Sequence, residues 1–186
     1  KVTTYHFGEN NGAFRGCSNL KEVRFEEGTK KVAEYLFTNC PGLEKITIPE
    51  GIETIGNGAF AGCGNLTDII MPGSVTTIGN SAFESTGKVK KIEIGRGTVT
   101  IADNAFKNCN ELEEVSLPDT IETIGANAFQ NDQKITELKL PKNIKTMGYG
   151  AFGECTGLTE IEIPKTLEKV TTYHFGENNG AFRGCS

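Results

Sequence analysis

No stretch of the 186-residue chain approaches the roughly 20 consecutive apolar residues that a membrane-spanning helix needs, so direct membrane insertion by this segment is not expected. No charged-then-apolar leader opens it. Nor is there a basic excess: 19 Lys and Arg stand against 24 Asp and Glu, interleaved throughout, for a net charge of −5. Nucleic-acid binders normally show a basic stripe, and its absence argues against that partner. Proline is scarce, at 6, while glycine reaches 23, which makes the chain rich in turns without making it a linker. It contains no Gly-rich phosphate loop, no Ser/His/Asp order and no HExxH. Its two histidines, His6 and His174, have no cysteine or second histidine at ligand spacing. Paired carboxylates such as Glu113-Glu114 have no evident environment that would split their pKa values. The chain is therefore read as a non-enzyme with no cofactor and no metal.

What the chain does contain is a clock. Phe14, Phe37, Phe60, Phe83, Phe106, Phe129, Phe152 and Phe175 are each 23 residues apart. Three residues after many of them stands a cysteine: Cys17, Cys40, Cys63, Cys109 and Cys155. Six after stands Leu20, Leu43, Leu66, Val89, Leu112, Ile135 or Leu158. A short alternating stretch follows, such as Ile46/Ile48 or Ile92/Ile94, usually closed by proline (Pro49, Pro72, Pro118, Pro141, Pro164). Alternation in β-branched residues closed by proline predicts one short strand per repeat. A second apolar pair (Ile52/Ile55, Val75/Ile78, Ile121/Ile124, Ile144/Met147) then precedes a glycine turn. The remaining length predicts short strand, turn or 3₁₀ structure on the other face, not a long helix. One 23-residue coil cannot bury its own apolar face, whereas stacked coils share a continuous core. The expected fold is a β-rich solenoid with a parallel sheet on one face.

The pattern A-F-x-x-C-x-x-L-x-x-I-x-I-P, as in Ala59-Phe60-Ala61-Gly62-Cys63 through Pro72, resembles the BspA-like leucine-rich repeat over essentially the whole chain. That resemblance implies a microbial or protist surface protein, extracellular or at the cell surface, engaged in adhesion to host matrix or to neighbouring cells. Two rungs depart from the pattern, with Thr86 and Asp132 in place of cysteine.

Residues Lys1 to Ser18 recur letter for letter as Lys169 to Ser186, while Phe7 to Phe14 and Phe175 to Phe182 are steps of 7. The chain is thus read as a single uncapped solenoid over 1–186. It has about seven 23-residue coils plus a 7-residue insert (8–14, recurring at 176–182), and is a window on a 168-residue superrepeat continuing on both sides. Both Phe7 and Phe14 have a claim on the core position. The run Gly8, Glu9, Asn10, Asn11 and Gly12 favours turns and reads as a bulged loop or as a protruding recognition knob.

All six cysteines fall in one repeat column, which points to reduced, packed thiols and not a disulfide framework. The outward strand positions are the candidate protein-binding face. Before each central apolar residue stand Glu22, Lys45, Asp68, Lys91, Glu114, Glu137 and Glu160. After it stand Arg24, Thr47, Ile70, Glu93, Ser116, Lys139 and Glu162. The first five of the leading column alternate in sign and predict cross-strand charge pairs; the C-terminal rungs are acidic. Either these positions are a solvated face or they bind proteins. A further possibility is that the units stack end to end into a filament or stalk, and a weaker one is an intracellular scaffold. Asn65-Leu66-Thr67 matches a glycosylation sequon in the turn before a strand.

Overall fold

The computed structural model describes residues 12–171 and 180–185. Five coils carry two short strands, and the coils of residues 137–139 and 160–162 carry only the shorter one. Three-residue strands form where alternation was read: β1 (Glu22–Arg24), β3 (Lys45–Thr47), β5 (Asp68–Ile70), β7 (Lys91–Glu93) and β9 (Glu114–Ser116). Two-residue strands form at the second apolar pair: β2 (Lys31–Val32), β4 (Thr54–Ile55), β6 (Thr77–Ile78), β8 (Thr100–Ile101), β10 (Thr123–Ile124), β11 (Thr146–Met147) and β12 (Lys169–Val170). All pairings are parallel and join residues 23 apart, as in Ile55 with Ile78. No helix occurs among the described residues.

The unbroken ladder lies on the face of the shorter strands, in the order β12-β11-β10-β8-β6-β4-β2. The longer strands split into a pair, β1-β3, and a trio, β5-β7-β9. The continuity of the shorter ladder follows from a repeated two-residue pattern, Thr-Ile at β4, β6, β8 and β10, in which the apolar side chain points inward and its neighbour outward in successive coils.

Turn chemistry repeats with the strands. The carbonyl of each closing proline accepts the N–H three residues on, as Pro72 does from Val75 at 3.2 Å and Pro118 from Ile121 at 3.2 Å. The Cys carbonyl does the same for the apolar residue after it, as from Cys109 to Leu112 at 2.8 Å. Thr86 and Asp132 keep this turn, through Val89 at 3.1 Å and Ile135 at 3.3 Å. Replacing cysteine there therefore leaves the coil path intact, because the turn uses only backbone. At Gly148, where the chain folds back under the neighbouring coil, a Cβ would overlap the Ala126 nitrogen and the Gly125 carbonyl carbon. Gly148→Ala should therefore cost about 2–3 kcal/mol through forced backbone displacement, read as a lower midpoint in urea unfolding with an unchanged slope.

Between coils, the N–H of each core phenylalanine donates to the coil that follows, as from Phe60 to Ala82 at 2.8 Å and Phe129 to Ala151 at 2.7 Å. The rings of Phe14, Phe37, Phe60, Phe83, Phe106, Phe129, Phe152 and Phe182 stack face on face. Their centroids are 5.1 to 5.5 Å apart and their planes lie within 16°. Phe7 and Phe175, the other claimants around the insert, lie outside the described residues. Phe14 and Phe182 hold the column, although Phe182 follows Phe152 by thirty residues instead of 23. Gly184 (φ +76°) repeats the left-handed turn of Gly16 (φ +74°), so the coil resumes its register. Arg183 anchors the re-entry: its Nη1 donates to the Tyr149 hydroxyl at 2.6 Å, and its guanidinium sits 5.6 Å from the Tyr149 ring centroid.

Candidate interaction face

The three-residue strands carry their central residues inward and their flanks to solvent. Val23, Ile69, Ile92 and Leu138 are buried, with Ile46, Val115 and Ile161 partly buried. Of the leading column, Lys45, Asp68, Glu114, Glu137 and Glu160 are exposed, and Glu22 and Lys91 half-buried. Of the trailing column, Arg24, Thr47, Ile70, Ser116, Lys139 and Glu162 are exposed, and Glu93 half-buried. Ile70 stands out, with 61 % of its surface in solvent. Residues 137–139 and 160–162 continue both columns, although no strand pairing forms there.

Charge pairing is selective. Glu22 takes Arg24 at 3.0 Å and Lys45 at 3.8 Å, and Lys91 takes Glu93 at 2.7 Å and Glu114 at 3.7 Å. The hydrogen bond from Arg24 and the Arg24 and Lys45 charges hold the Glu22 carboxyl below its ordinary range, and Glu93 raises Lys91. Two of the expected cross-strand pairs thus form, while Asp68 makes no ion pair among the described residues and accepts a hydrogen bond from the Thr67 hydroxyl at 2.9 Å. Glu137, Glu160 and Glu162 have no ion pair among the described residues. The N-terminal rungs neutralise themselves, and the C-terminal rungs leave their carboxylates open. A different set of bridges ties coil to coil elsewhere, as in Lys21–Glu44 and Lys145–Glu122; fully exposed pairs of this kind add little to stability because solvent screens them.

The candidate loop is only partly visible. Gly8, Glu9, Asn10 and Asn11 lie outside the described residues, as do Tyr5, His6 and Phe7 and their counterparts at 173–175. Gly12 packs against the Tyr35 carbonyl so closely that no Cβ would fit.

The cysteine column is mostly buried. All six thiols are free; Cys40, Cys63, Cys109 and Cys155 are buried, Cys185 is half-buried, and Cys17, at the edge of the described stack, is exposed. Buried thiols donate to the phenylalanine carbonyl of the preceding coil, as from Cys63 to Phe37 at 3.2 Å and from Cys155 to Phe129 at 3.1 Å. Burial pushes the Cys63 thiol up to about 12 and Cys109 and Cys155 well above the usual range. Thiols held protonated in this way are poor nucleophiles and poor metal ligands. Among the described residues, no group of three or more His, Cys, Asp or Glu is placed to hold a metal ion. No helix there is long and apolar enough to cross a membrane. Asn65 of the sequon is half-exposed in its turn.

Asp132 is what sequence reading undervalued. It occupies the cysteine position with no solvent exposure, accepts the Cys109 N–H at 2.7 Å through Oδ1, and leaves Oδ2 without a partner. Burial holds its carboxyl far above the ordinary range, against the pull of that one hydrogen bond. Thr86, the other departure, is satisfied: its hydroxyl lies 2.9 Å from the Phe83 carbonyl and 3.1 Å from Cys109 Sγ.

Comparison with known proteins agrees with this geometry. A profile described as the BspA type leucine rich repeat region, in 6 copies, matches residues 10–113 and 76–181. No curated protein matches the sequence. A leucine-rich repeat protein from Bacteroides ovatus is similar at 28% identity and a TM-score of 0.71, over 94% of this chain and 49% of its own. One from Eubacterium ventriosum is similar at 29% identity and a TM-score of 0.79, over 91% and 44%. A leucine rich cell surface protein from Faecalibacterium prausnitzii is similar at 26% identity and a TM-score of 0.53, over 91% and 52%. The chain thus spans about half the length of these solved relatives. With the repeat matched from residue 10 to residue 181 and each coil stacked as the pattern requires, the chain belongs to the BspA-type leucine-rich repeat family.

Proposed function

We propose that the chain is a surface-displayed, non-enzymatic module that binds proteins, of a host matrix or of a neighbouring cell, through the face that carries the three-residue strands. The observation that carries this reading is the asymmetry of that face. Its first rungs consume their own charges in Glu22–Lys45 and Lys91–Glu114, while Glu137, Glu160 and Glu162 stand exposed without an ion pair among the described residues. Open carboxylates at regular spacing suit a basic partner segment, with Ile70 as an apolar contact next to the neutralised rungs. Surface display is supported by the similar cell surface protein from F. prausnitzii.

The test is binding of purified matrix proteins to the immobilised chain and to a Glu137→Lys/Glu160→Lys/Glu162→Lys variant. The acidic rungs, if they dock the partner, make the variant at least about tenfold weaker, a change of about 1.4 kcal/mol. Affinity of the parent chain should also fall with added salt, because these charges are exposed. Equal, salt-insensitive binding by both proteins would remove the acidic rungs from the interface.

A further inference from the structure

Each buried cysteine donates its thiol to the phenylalanine carbonyl 26 residues back: Cys40 to Phe14 at 3.1 Å, Cys63 to Phe37 at 3.2 Å, Cys109 to Phe83 at 3.7 Å and Cys155 to Phe129 at 3.1 Å. The same step of 26 leads from Asp132 back to Phe106. Two acceptors go without a donor at that one contact. Asp132 Oδ2 is buried with no hydrogen bond, and the Phe106 carbonyl receives none among the described residues. The carbonyl is left open because Asp132 Oδ1 takes the Cys109 N–H at 2.7 Å. The equivalent N–H groups of Cys63 and Cys155 bond the Phe60 and Phe152 carbonyls of their own coils, at 3.1 and 3.4 Å. Two buried oxygens that only accept are costly, and one proton between them satisfies both. No cation takes that role, since the only partner that lowers the Asp132 carboxyl is the Cys109 N–H. The titratable groups that face it are the Cys109 thiol of the preceding coil and the Cys155 thiol of the following one. Burial holds both protonated, and the charges of Glu84 and Glu154 act on them in the same sense.

We propose that Asp132 keeps a proton on Oδ2 and donates it to the Phe106 carbonyl, and that this one proton latches two coils together on the side of the three-residue strands. Strand pairing leaves that seam open there: β9 pairs with β7 but not with residues 137–139. On the opposite side the same two coils are joined by β8 and β10, with Thr100 beside Thr123 and Ile101 beside Ile124. The latch therefore has a hinge across from it. With the proton in place the seam is closed. Once pH rises through the folded-state value of Asp132, the proton leaves and a buried negative charge faces the Phe106 carbonyl oxygen. The seam then opens about the β8–β10 pairing and admits water to the carboxylate. Burial sets that value above the ordinary carboxylate range, so the closed state persists where an exposed carboxyl is already ionised. The other seams without pairing on this side, β3 to β5 and 137–139 to 160–162, are crossed by the thiols of Cys63 and Cys155 instead. Burial pushes Cys63 up to about 12 and Cys155 well above the usual range, so those thiols keep their protons after the carboxyl has lost its own. The result is a solenoid that articulates at one coil. While the latch is closed, the neutralised rungs through β9 and the open carboxylates of Glu137, Glu160 and Glu162 form one rigid face; once it opens, the two groups move separately. The device requires no ligand and stands apart from what that face binds.

Two amides report on the seam: the Cys109 N–H, held by Asp132 Oδ1, and the Ile135 N–H, which donates to the Asp132 carbonyl at 3.3 Å. The Leu66 N–H, bonded to the Cys63 carbonyl at 3.2 Å, is their counterpart at the β3–β5 seam. Hydrogen exchange of the whole chain is followed from about pH 5 to about pH 10, each rate being divided by that of an unstructured amide at the same pH. Protection of Cys109 and Ile135 is expected to fall at least about tenfold over this range while Leu66 holds steady. In Asp132→Asn the side-chain oxygen accepts the Cys109 N–H and the amide donates to the Phe106 carbonyl at every pH. Its protection should therefore stay throughout at the level of the parent in acid. Carbon-13 NMR of the Asp132 carboxyl should show a protonated group at the acid end, with its titration coinciding with the loss of protection. A carboxyl that matters only for packing predicts instead that Asp132→Asn and the parent lose protection together. Titration of Asp132 near the ordinary value of about 3.9, constant protection at Cys109 across the range, or equal losses at Cys109 and Leu66 would overturn the proposal. These three outcomes are read on the parent chain and decide the matter whether or not Asp132→Asn folds.

Discussion

Asp132→Cys is expected to stabilise the solenoid by on the order of 3 kcal/mol at neutral pH, because it removes a buried carboxyl with an orphan oxygen. The replacement also restores the local rule. A thiol at this position lies in register with the Phe106 carbonyl, as Cys40, Cys63 and Cys155 lie with Phe14, Phe37 and Phe129 at 3.1, 3.2 and 3.1 Å. One interaction opposes the gain: Asp132 Oδ1 now satisfies the Cys109 N–H, and that N–H must then turn to its own coil. Cys63 makes that local bond, to the Phe60 carbonyl at 3.1 Å, so the geometry exists within the fold.

The pH dependence of this variant separates the carboxyl from mere packing. Burial raises the folded-state pKa of Asp132, whereas the unfolded chain ionises near the ordinary value of about 3.9. Below that value both states are protonated and the carboxyl contributes its full stability. As pH rises above it, the unfolded state loses its proton first, and the parent loses stability at up to about 1.4 kcal/mol per pH unit until the folded carboxyl itself ionises. The advantage of Asp132→Cys should therefore be small near pH 4 and widen toward neutrality, as measured by urea unfolding of both proteins at each pH. A gap independent of pH would show that Asp132 is ionised in the folded state, or that its burial is incomplete.

Much of this was legible in the chain. The 23-residue spacing of phenylalanine placed the core column, and apolar alternation placed the three-residue strands, with proline closing β3, β5 and β9, whereas the stretches closed by Pro141 and Pro164 form no strand. The place of Phe14 in the column had a signal too. Phe14 is followed at three and six residues by Cys17 and Leu20, Phe7 by Asn10 and Ala13, so only the former brings its whole coil into register. The unbroken seven-stranded ladder was harder to see, because a two-residue strand such as Thr77–Ile78 is shorter than any window in which alternation can be counted. Left-handed backbone was readable at Asn39, Asn104, Asn108, Asn127 and Asn131, residues that tolerate it, but not at Tyr35 or Glu154, where stacking on neighbouring coils imposes it. On the interaction face, sign alternation located Glu22–Lys45 and Lys91–Glu114. It could not foresee that Lys91 turns to Glu93 within its own strand at 2.7 Å and leaves Asp68 without an ion pair, since that choice is one of rotamer and not of sequence order.

Phe106→Ala is expected to cost about 4 kcal/mol, at the high end for a core truncation, and its effect should be local before it is global. Phe106 has no solvent exposure and lies between Phe83, 5.5 Å away, and Phe129, 5.1 Å away. Alanine leaves two ring faces unpaired and a cavity that the stacked coils cannot close, because the backbone bonds from Phe83 to Ala105 and from Phe106 to Ala128, each 2.8 Å, fix their spacing. A solenoid holds together only through neighbouring coils, so damage at one rung weakens the coupling between the two halves. Hydrogen exchange on the variant should show amide protection falling most in residues near 100–130 and less toward both ends of the described stack. Phe14→Ala offers the contrast. Among the described residues its ring stacks on Phe37 alone, and it is 46 % exposed, so the same truncation should cost about 1 kcal/mol or less. A parallel loss at both positions would mean that the phenylalanine column contributes through general hydrophobicity, and that continuous stacking between coils adds nothing to it.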